Sequence, residues 1–520
     1  MSNRILLRGG KVADGTGDTI VRADVLIEGP VIAWIGPDAD SVGATAENCE
    51  IIDLVPGSVV CPGFIDAHAH AEGPLLEDGY VEGALAQGVT TLVVGQDGES
   101  WIGASAETAR YLNQYFGPVN GRLEPARDVS LTDYRQAVSG RLVPNVAVLA
   151  SQGTVRHDVA GMASRPLDAE QRKAARSQVE QALAEGAVGL SSGLDYLPSR
   201  FGDVDEVAFM AVPLAEAGRP YVSHLRGYGP WVRAGLEELA GVGRIAGIRV
   251  HASHLWGAPE DIEPAFLAAD SADVPLTFDM YPYGRSSTIL AQLLLPADLQ
   301  SGGPEQTIAA LKDPGRRAKL LVSEDFTDES LRNLYLGSLP EELGQFAGLS
   351  IAEAASGSSQ PAGEWVLDLL AGTGLNVGAH LDRPALAESH LAWLAAHDRH
   401  CAGSDGIYQG QHPHPRGYGA FARLAEQYLA GAGESGYQHL VRHLASHAAD
   451  VYGLASRGKL GAGLAADICV IGQDNITNRA TYAMPKVTAN GVDLVIVNGT
   501  IAWRDGAQKD GARPGQLVNS

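Results

Sequence analysis

Phe64-Ile65-Asp66-Ala67-His68-Ala69-His70 decides how the rest of the chain is read. Residues 64–67 form an apolar strand candidate that runs straight into two histidines. Side chains at i and i+2 of a strand point the same way, so His68 and His70 can share one cation. Seven more stretches have the same strand texture, at 90–95, 145–150, 187–191, 220–224, 248–254, 276–280 and 401–405. Amphipathic helical segments fall between most of them. In one, 168–185, the apolar residues recur at helical spacing. Strands alternating with helices require parallel architecture, and eight of them predict an α/β fold, the (β/α)8 TIM barrel.

A barrel of this kind places its chemistry at the C-terminal strand ends. The second strand ends Val93-Val94-Gly95-Gln96-Asp97-Gly98, the fifth Ser223-His224, the sixth Ser253-His254 and the eighth Gly403-Ser404-Asp405. Four imidazoles and two carboxylates, from His68, His70, Asp97, His224, His254 and Asp405, are thereby brought to one rim. Such ligands suit zinc, and also manganese, iron or cobalt. A lone strand-end histidine is more often a hydrogen-bonded structural residue, and a strand-end aspartate is usually a helix N-cap. Five strands of eight carrying ligand-type residues at the same end favour metal. His251, three residues before His254, falls on the opposite face and reads as structural. Gly302-Gly303 lacks the strand-turn-helix setting of a phosphate cradle.

Outside this alternation the texture changes. Residues 1–58 contain short β-type runs (Ile5-Leu6-Leu7, Ala23 to Ile27, Val31 to Gly36), and the same pattern returns in Asp467 to Ile471 and Leu494 to Gly499. Neither end is long enough for a sound core. The expectation is a small β-sandwich-like domain built from both chain termini, 1–58 plus 466–520, bracketing a barrel over 59–465. The long gap at about 284–400 should hold extra helices and a wall or lid at the barrel mouth.

The bulk composition narrows the function classes. With 62 acidic against 38 basic residues the formal charge is −24, which repels phosphate backbones and anionic lipid, so no nucleic acid and no membrane partner is expected. Four widely spaced cysteines form no disulfide framework. The run Met1-Ser2-Asn3-Arg4-Ile5-Leu6-Leu7-Arg8 has no secretory h-region, and no apolar stretch is long enough to cross a bilayer. A cytoplasmic protein, with homo-oligomerisation left open, is the expectation.

Val59-Val60-Cys61-Pro62-Gly63-Phe64-Ile65-Asp66-Ala67-His68-Ala69-His70 resembles the opening signature of the amidohydrolase superfamily. The run from Arg457 to Ile468 resembles that superfamily's return to its β-domain. Within the superfamily the chain is most similar to the D-aminoacylases, the N-acyl-D-amino-acid deacylases. Four segments carry the likeness: Gly189 to Tyr196; Ser223-His224-Leu225-Arg226; Tyr281-Pro282-Tyr283 with Ser287-Thr288; and Ser404-Asp405-Gly406 followed by His412-Pro413-His414-Pro415-Arg416. The resemblance implies one metal on His68 and His70 and another on His224 and His254. Asp405 would take the proton of the attacking water and pass it to the leaving nitrogen. Arg416 and Tyr283 would hold a substrate carboxylate, with Ser287, Tyr196 and Trp256 lining the pocket. His412 and His414 would shape the loop that presents Arg416.

Two departures from the family pattern matter. Many D-aminoacylases carry a cysteine ligand after the second strand, where this chain has Asp97 in Gln96-Asp97-Gly98. Asp97 can bridge two metals through its two oxygens, and a carboxylate in place of a thiolate shifts preference from soft toward harder cations, so zinc is the first expectation and manganese or cobalt activation the alternative. The family's lysine after the sixth-strand histidine is Trp256 here, which weakens the case for a free substrate carboxylate. The expected activity is hydrolysis of a small amide, an N-acyl-D-amino acid or a relative, by metal-activated water, with one or two divalent ions per chain. The alternatives are cyclic-amide hydrolysis of the hydantoinase or dihydroorotase type, isoaspartyl dipeptide hydrolysis, and a non-catalytic scaffold. The enzymatic rivals commonly bridge their metals with a carboxylated lysine, and none stands near Asp97 or 145–150.

Overall fold

Runs such as Val89–Val94 (VTTLVV), buried at every position, are what a strand covered on both faces requires. In the computed structural model, which describes residues 4–17, 19–45, 47–383 and 386–519, these runs lie side by side in parallel. Met1, Ser2 and Asn3 of the N-terminal run lie outside the described residues. Phe64–Asp66, Val89–Val94 and Asn145–Val148 make one parallel group. Ala150–Ser151, Leu190–Gly193, Tyr221–His224, Val250–Ala252, Leu276–Met280 and His400–Ala402 make a second. Only Leu149 separates the two groups, and its N–H donates to the Val94 carbonyl at 2.9 Å. At the other margin the Ala67 N–H donates to the Ala402 carbonyl at 3.0 Å. Just beyond it, Ala69–His70 pairs in parallel with Gly406–Ile407.

The fold is thus mixed α/β, with helices following the parallel strands. Helix Ala169–Ala184 shows why local sequence suffices in places. Asp168 caps it, and Gln171 closes the capping box.

The sixth and eighth strands fall furthest short of their expected ends, for one reason. The sixth stops at Ala252 and the eighth at Ala402, and the backbone then turns into the left-handed region at His254 (φ 37°) and Asp405 (φ 48°). Asp97 does the same after the second strand, at φ 57°. Strand alternation therefore cannot be carried from His251 to His254. His251 does not face away: its Nε2 lies 3.1 Å from Asp279 Oδ2, on the inner side of the strands beneath His254.

Strands from the two chain ends share a sheet. Val59–Pro62 lies between Lys11–Val12 and Ile468–Ile471, and Val492–Val497, Thr500–Arg504 and Ala507–Gln508 continue outward. A second sheet, built from Arg4–Arg8, Asp24–Glu28, Val31–Gly36 and Glu50–Asp53, packs on it. Ile5, Leu7, Val25 and Ile27 of the second sheet and Val60, Ile468 and Ile496 of the first fall in one apolar core.

The segment after Leu276–Met280 holds helices, as expected, and also an antiparallel sheet that the sequence did not suggest. Its strands are Arg285–Ile289, Leu334–Ser338 and Gly378–Asp382. This segment has a core of its own around Leu290, Leu336, Val366 and Val377. Among the described residues no helix is long and apolar enough to cross a membrane.

Candidate metal centre

Six side chains converge at the C-terminal ends of the parallel strands. His68, His70, Asp97 and Asp405 form one group that could hold a metal ion, and Asp97, His224 and His254 form another. Asp97 belongs to both. Its Oδ1 lies 3.5 Å from His68 Nε2 and 3.5 Å from His254 Nε2, and its Oδ2 lies 3.5 Å from His70 Nε2 and 3.7 Å from His224 Nδ1. Asp405 Oδ1 approaches His70 Nε2 at 3.3 Å and His68 Nε2 at 3.7 Å. Two close approaches place Asp97 at the centre. Gly98 follows it with φ 69°, and a Cβ at Gly193 would sit 2.2 Å from the Asp97 carbonyl oxygen.

These residues fit a cation. Nε2 of His68, which faces both carboxylates, and Oδ1 of Asp97 are buried with no hydrogen-bond partner. Native interiors rarely leave such atoms without one unless an ion or water completes them. The ring of His70 is oriented for the same purpose. Asn120 Nδ2 donates to the Glu99 carbonyl at 2.5 Å, so the Asn120 oxygen faces His70 Nδ1 at 2.7 Å and accepts its proton. Nε2 is left toward the two carboxylates. Burial opposes charge on His70, but the hydrogen bonds to Asp405 and Asp97 outweigh it and push its pKa up to about 10. Burial raises the Asp97 pKa, yet His68, His254 and His224 together hold it well below the usual carboxylate range. The site attracts positive charge, and protons supply it where a cation does not.

A residue missed in the sequence lies beneath. Asp279, in the seventh strand, places Oδ2 3.5 Å from His68 Nδ1 and 3.1 Å from His251 Nε2. Its Oδ1 accepts the His254 N–H at 2.8 Å. Burial disfavours its charge, but His68 and His251 hold its pKa far below the ordinary value. The available signal was a lone acid in an otherwise apolar strand, Leu276-Thr277-Phe278-Asp279-Met280. Asp66 is a second buried acid, tied to Ser404 through N–H and Oγ at 2.8 and 2.5 Å, and burial pushes its pKa up to about 7.

The expected substrate-side residues are divided. Arg416, the first residue of helix Arg416–Leu429, places Nη1 2.7 Å from Asp405 Oδ2. Its Nη2 donates to the carbonyl of Ser287, not to the hydroxyl, at 3.2 Å. Among the described contacts it is the ring of Tyr281, 4.6 Å from the guanidinium carbon, that meets Arg416, and not that of Tyr283. Tyr283 packs against His414, Tyr482 and Arg423. Tyr196 stands 4.7 Å from the His224 ring with its hydroxyl 2.7 Å from Thr288 Oγ1. Trp256 stacks on Tyr228, whose ring lies 5.1 Å from His224 and 5.2 Å from His254. The guanidinium carbon of Arg383 lies 4.9 Å from the Trp256 ring centre.

Histidine and aspartate ligands grouped around a shared carboxylate at the ends of parallel strands define a metal-dependent hydrolase centre. No family model matches the chain. It is 31% identical to N-acyl-D-glutamate deacylase of Alcaligenes xylosoxydans xylosoxydans over 99% of this chain and 96% of that protein. A crystal structure of D-aminoacylase, described as defining a novel subset of amidohydrolases, superposes with a TM-score of 0.81 at 26% identity, covering 99% of both chains. N-acyl-D-glutamate deacylase from Bordetella bronchiseptica, solved with zinc and a phosphonate inhibitor, gives 0.81 at 27% identity and the same coverage. The chain belongs to the N-acyl-D-amino-acid deacylase family of the amidohydrolases.

Proposed function

We propose that this protein hydrolyses the amide bond of N-acyl-D-amino acids, with His68, His70, Asp97 and Asp405 holding one divalent cation and Asp97, His224 and His254 a second. The observation that carries this is Asp97, reached within 3.7 Å by nitrogens of all four histidines. A bound divalent cation supplies acidity to an attacking water and positive charge for the carbonyl oxygen.

The remaining work belongs to the side chains. Asp405 takes a proton from the attacking water and returns it to the departing nitrogen. Burial works against its ionised form, while Arg416, His254, His70 and His68 keep its pKa below the usual carboxylate range. Arg416 fixes one carboxylate oxygen of Asp405 and leaves the other toward His70. Asp279 holds the His68 ring from behind, the arrangement that orients a ligating imidazole. Tyr196, beside His224, closes the pocket side, and Trp256 and Arg416 line the wall that receives the amino-acid part.

This reading includes a closed (β/α)8 barrel, supported by the Ala67 to Ala402 hydrogen bond and the Ala69–His70 ladder to Gly406–Ile407. It also treats 1–58 with 466–520 as one β-domain, supported by the core common to both chain ends.

The test is turnover of a panel of N-acetyl-D- and N-acetyl-L-amino acids, their amides, and hydantoins. Chelated protein should be inactive, and zinc, manganese or cobalt should restore turnover of the D-series. Full activity of a metal-free sample, or turnover of hydantoins alone, would refute it.

A further inference from the structure

We propose that Arg383 is the receptor for the carboxylate of the substrate, a role that rests on the amide-hydrolase reading above. Arg383 follows strand Gly378–Asp382 of the inserted sheet and is 8% exposed. A guanidinium does not lose its proton in a protein, so burying one without an anion is costly. The other fully buried arginine of this wall, Arg416, meets Asp405 at 2.7 Å, and the half-buried Arg285 meets Asp382 at 2.6 Å. Arg383 has neutral partners alone among the described residues. Its Nη2 donates to the Tyr281 hydroxyl and to the Tyr283 and Arg285 carbonyls at 3.0 to 3.1 Å. Its Nε is buried and has no acceptor. His380 and His414, packed against the same wall, are held neutral by burial and then by Arg416, so neither offsets the charge.

Its position suits a ligand that reaches from the metal centre. Two contact paths lead from the ligand groups to Arg383. One runs from His224 and His254 through Tyr228 to Trp256, over which the guanidinium lies. The other runs from Asp405 through Arg416 to Tyr281, whose ring centre is 4.6 Å from the Arg416 guanidinium carbon and 5.3 Å from that of Arg383. An amide carbonyl at the clusters would therefore have its own carboxylate directed toward a buried guanidinium that lacks a counter-charge among the described residues. Trp256 and Tyr281 fix the plane of the guanidinium, and a planar, preoriented fork is what recognises a carboxylate.

The experiment compares N-acetyl-D-alanine with N-acetyl-D-alaninamide on zinc-loaded wild type, R383M and R383K. The ratio of kcat/KM for the acid over the amide should fall at least tenfold in R383M, mainly through KM, and recover in part in R383K. A role in holding the fold alone would lower both substrates together and leave the ratio intact, which would overturn the proposal. Should R383M fail to fold, R383Q takes its place, since its amide can still donate to the Tyr283 and Arg285 carbonyls. Calorimetry with N-ethyl-D-alanine, which has the carboxylate and no amide, provides a readout without turnover. Binding should weaken at least tenfold in the variant, and equal affinities would reject the assignment. Zinc-loaded wild type that cleaves neither amide would remove the amide-hydrolase reading, and the calorimetry would still decide the carboxylate site.

Discussion

Two groups of buried histidines sit at opposite ends of the same parallel strands, and they have opposite electrostatics. At the C-terminal ends, His68, His70, His224 and His254 surround Asp97 and Asp405. At the start of the eighth strand, His400 meets His443 and His447, whose Nδ1 atoms both donate to the His400 carbonyl, at 3.0 and 2.8 Å. Among the described residues no carboxylate lies within ion-pair distance of that second group. Burial therefore decides there, lowering the His443 pKa to about 4 and those of His400 and His447 as well, whereas His70 is driven up to about 10. Histidine density does not make a metal centre; a shared anion among the imidazoles does.

The contrast fails most visibly if the carboxylates are dispensable. Asp405→Asn should lower kcat by about 10²–10⁴-fold, the range of a lost general base, with the thermal midpoint little changed. Near-normal turnover would place the proton acceptor elsewhere. Asp279→Asn should act more gently, through the orientation of His68, weakening zinc affinity by about 10–100-fold in a competitive chelator titration. Wild-type affinity in that variant would reduce Asp279 to a packing residue.

The lower group sharpens the comparison from the other side. His443→Gln combined with His447→Gln should leave the number of zinc ions per chain unchanged by metal analysis, while Asp97→Ala should reduce it. The smallest effect concerns pH. His443 and His380 have folded pKa values of about 4 and about 3, below the unfolded value near 6.5. Between those limits the unfolded chain takes up protons that the folded one refuses. Their contribution to stability is therefore complete above about pH 6.5 and is lost as pH falls toward about 4 for His443 and about 3 for His380. His443→Gln should give a shallower decline of the thermal midpoint over that interval, and an identical slope would show that other groups control it.

What could be read from the sequence follows the same physics. Strand-exit residues such as Asp97, His224, His254 and Asp405 were legible because a parallel array directs every strand end to one rim. Asp279 was not, because a single acid within a strand has no spacing to mark it. His251 was placed on the wrong side because alternation was extended through a residue whose backbone is left-handed. Arg383 and the sheet it follows lie in the long segment after the seventh strand, where local patterns give no hint of what they pack against. The resemblance put Tyr283 with Arg416 on a substrate carboxylate; among the described contacts the ring that meets Arg416 is that of Tyr281, a packing detail that no motif carries.

The sheet shared by the two chain ends has a consequence for biosynthesis. Val59–Pro62 emerges from the ribosome early with Lys11–Val12 on one side, but its other edge stays bare until Ile468–Ile471 has been translated. For most of translation a fully buried strand thus exposes a hydrogen-bonding edge to solvent or to other nascent chains. Truncation before Ile468, which removes that strand, should therefore cost soluble yield far out of proportion to its distance from the metal centre.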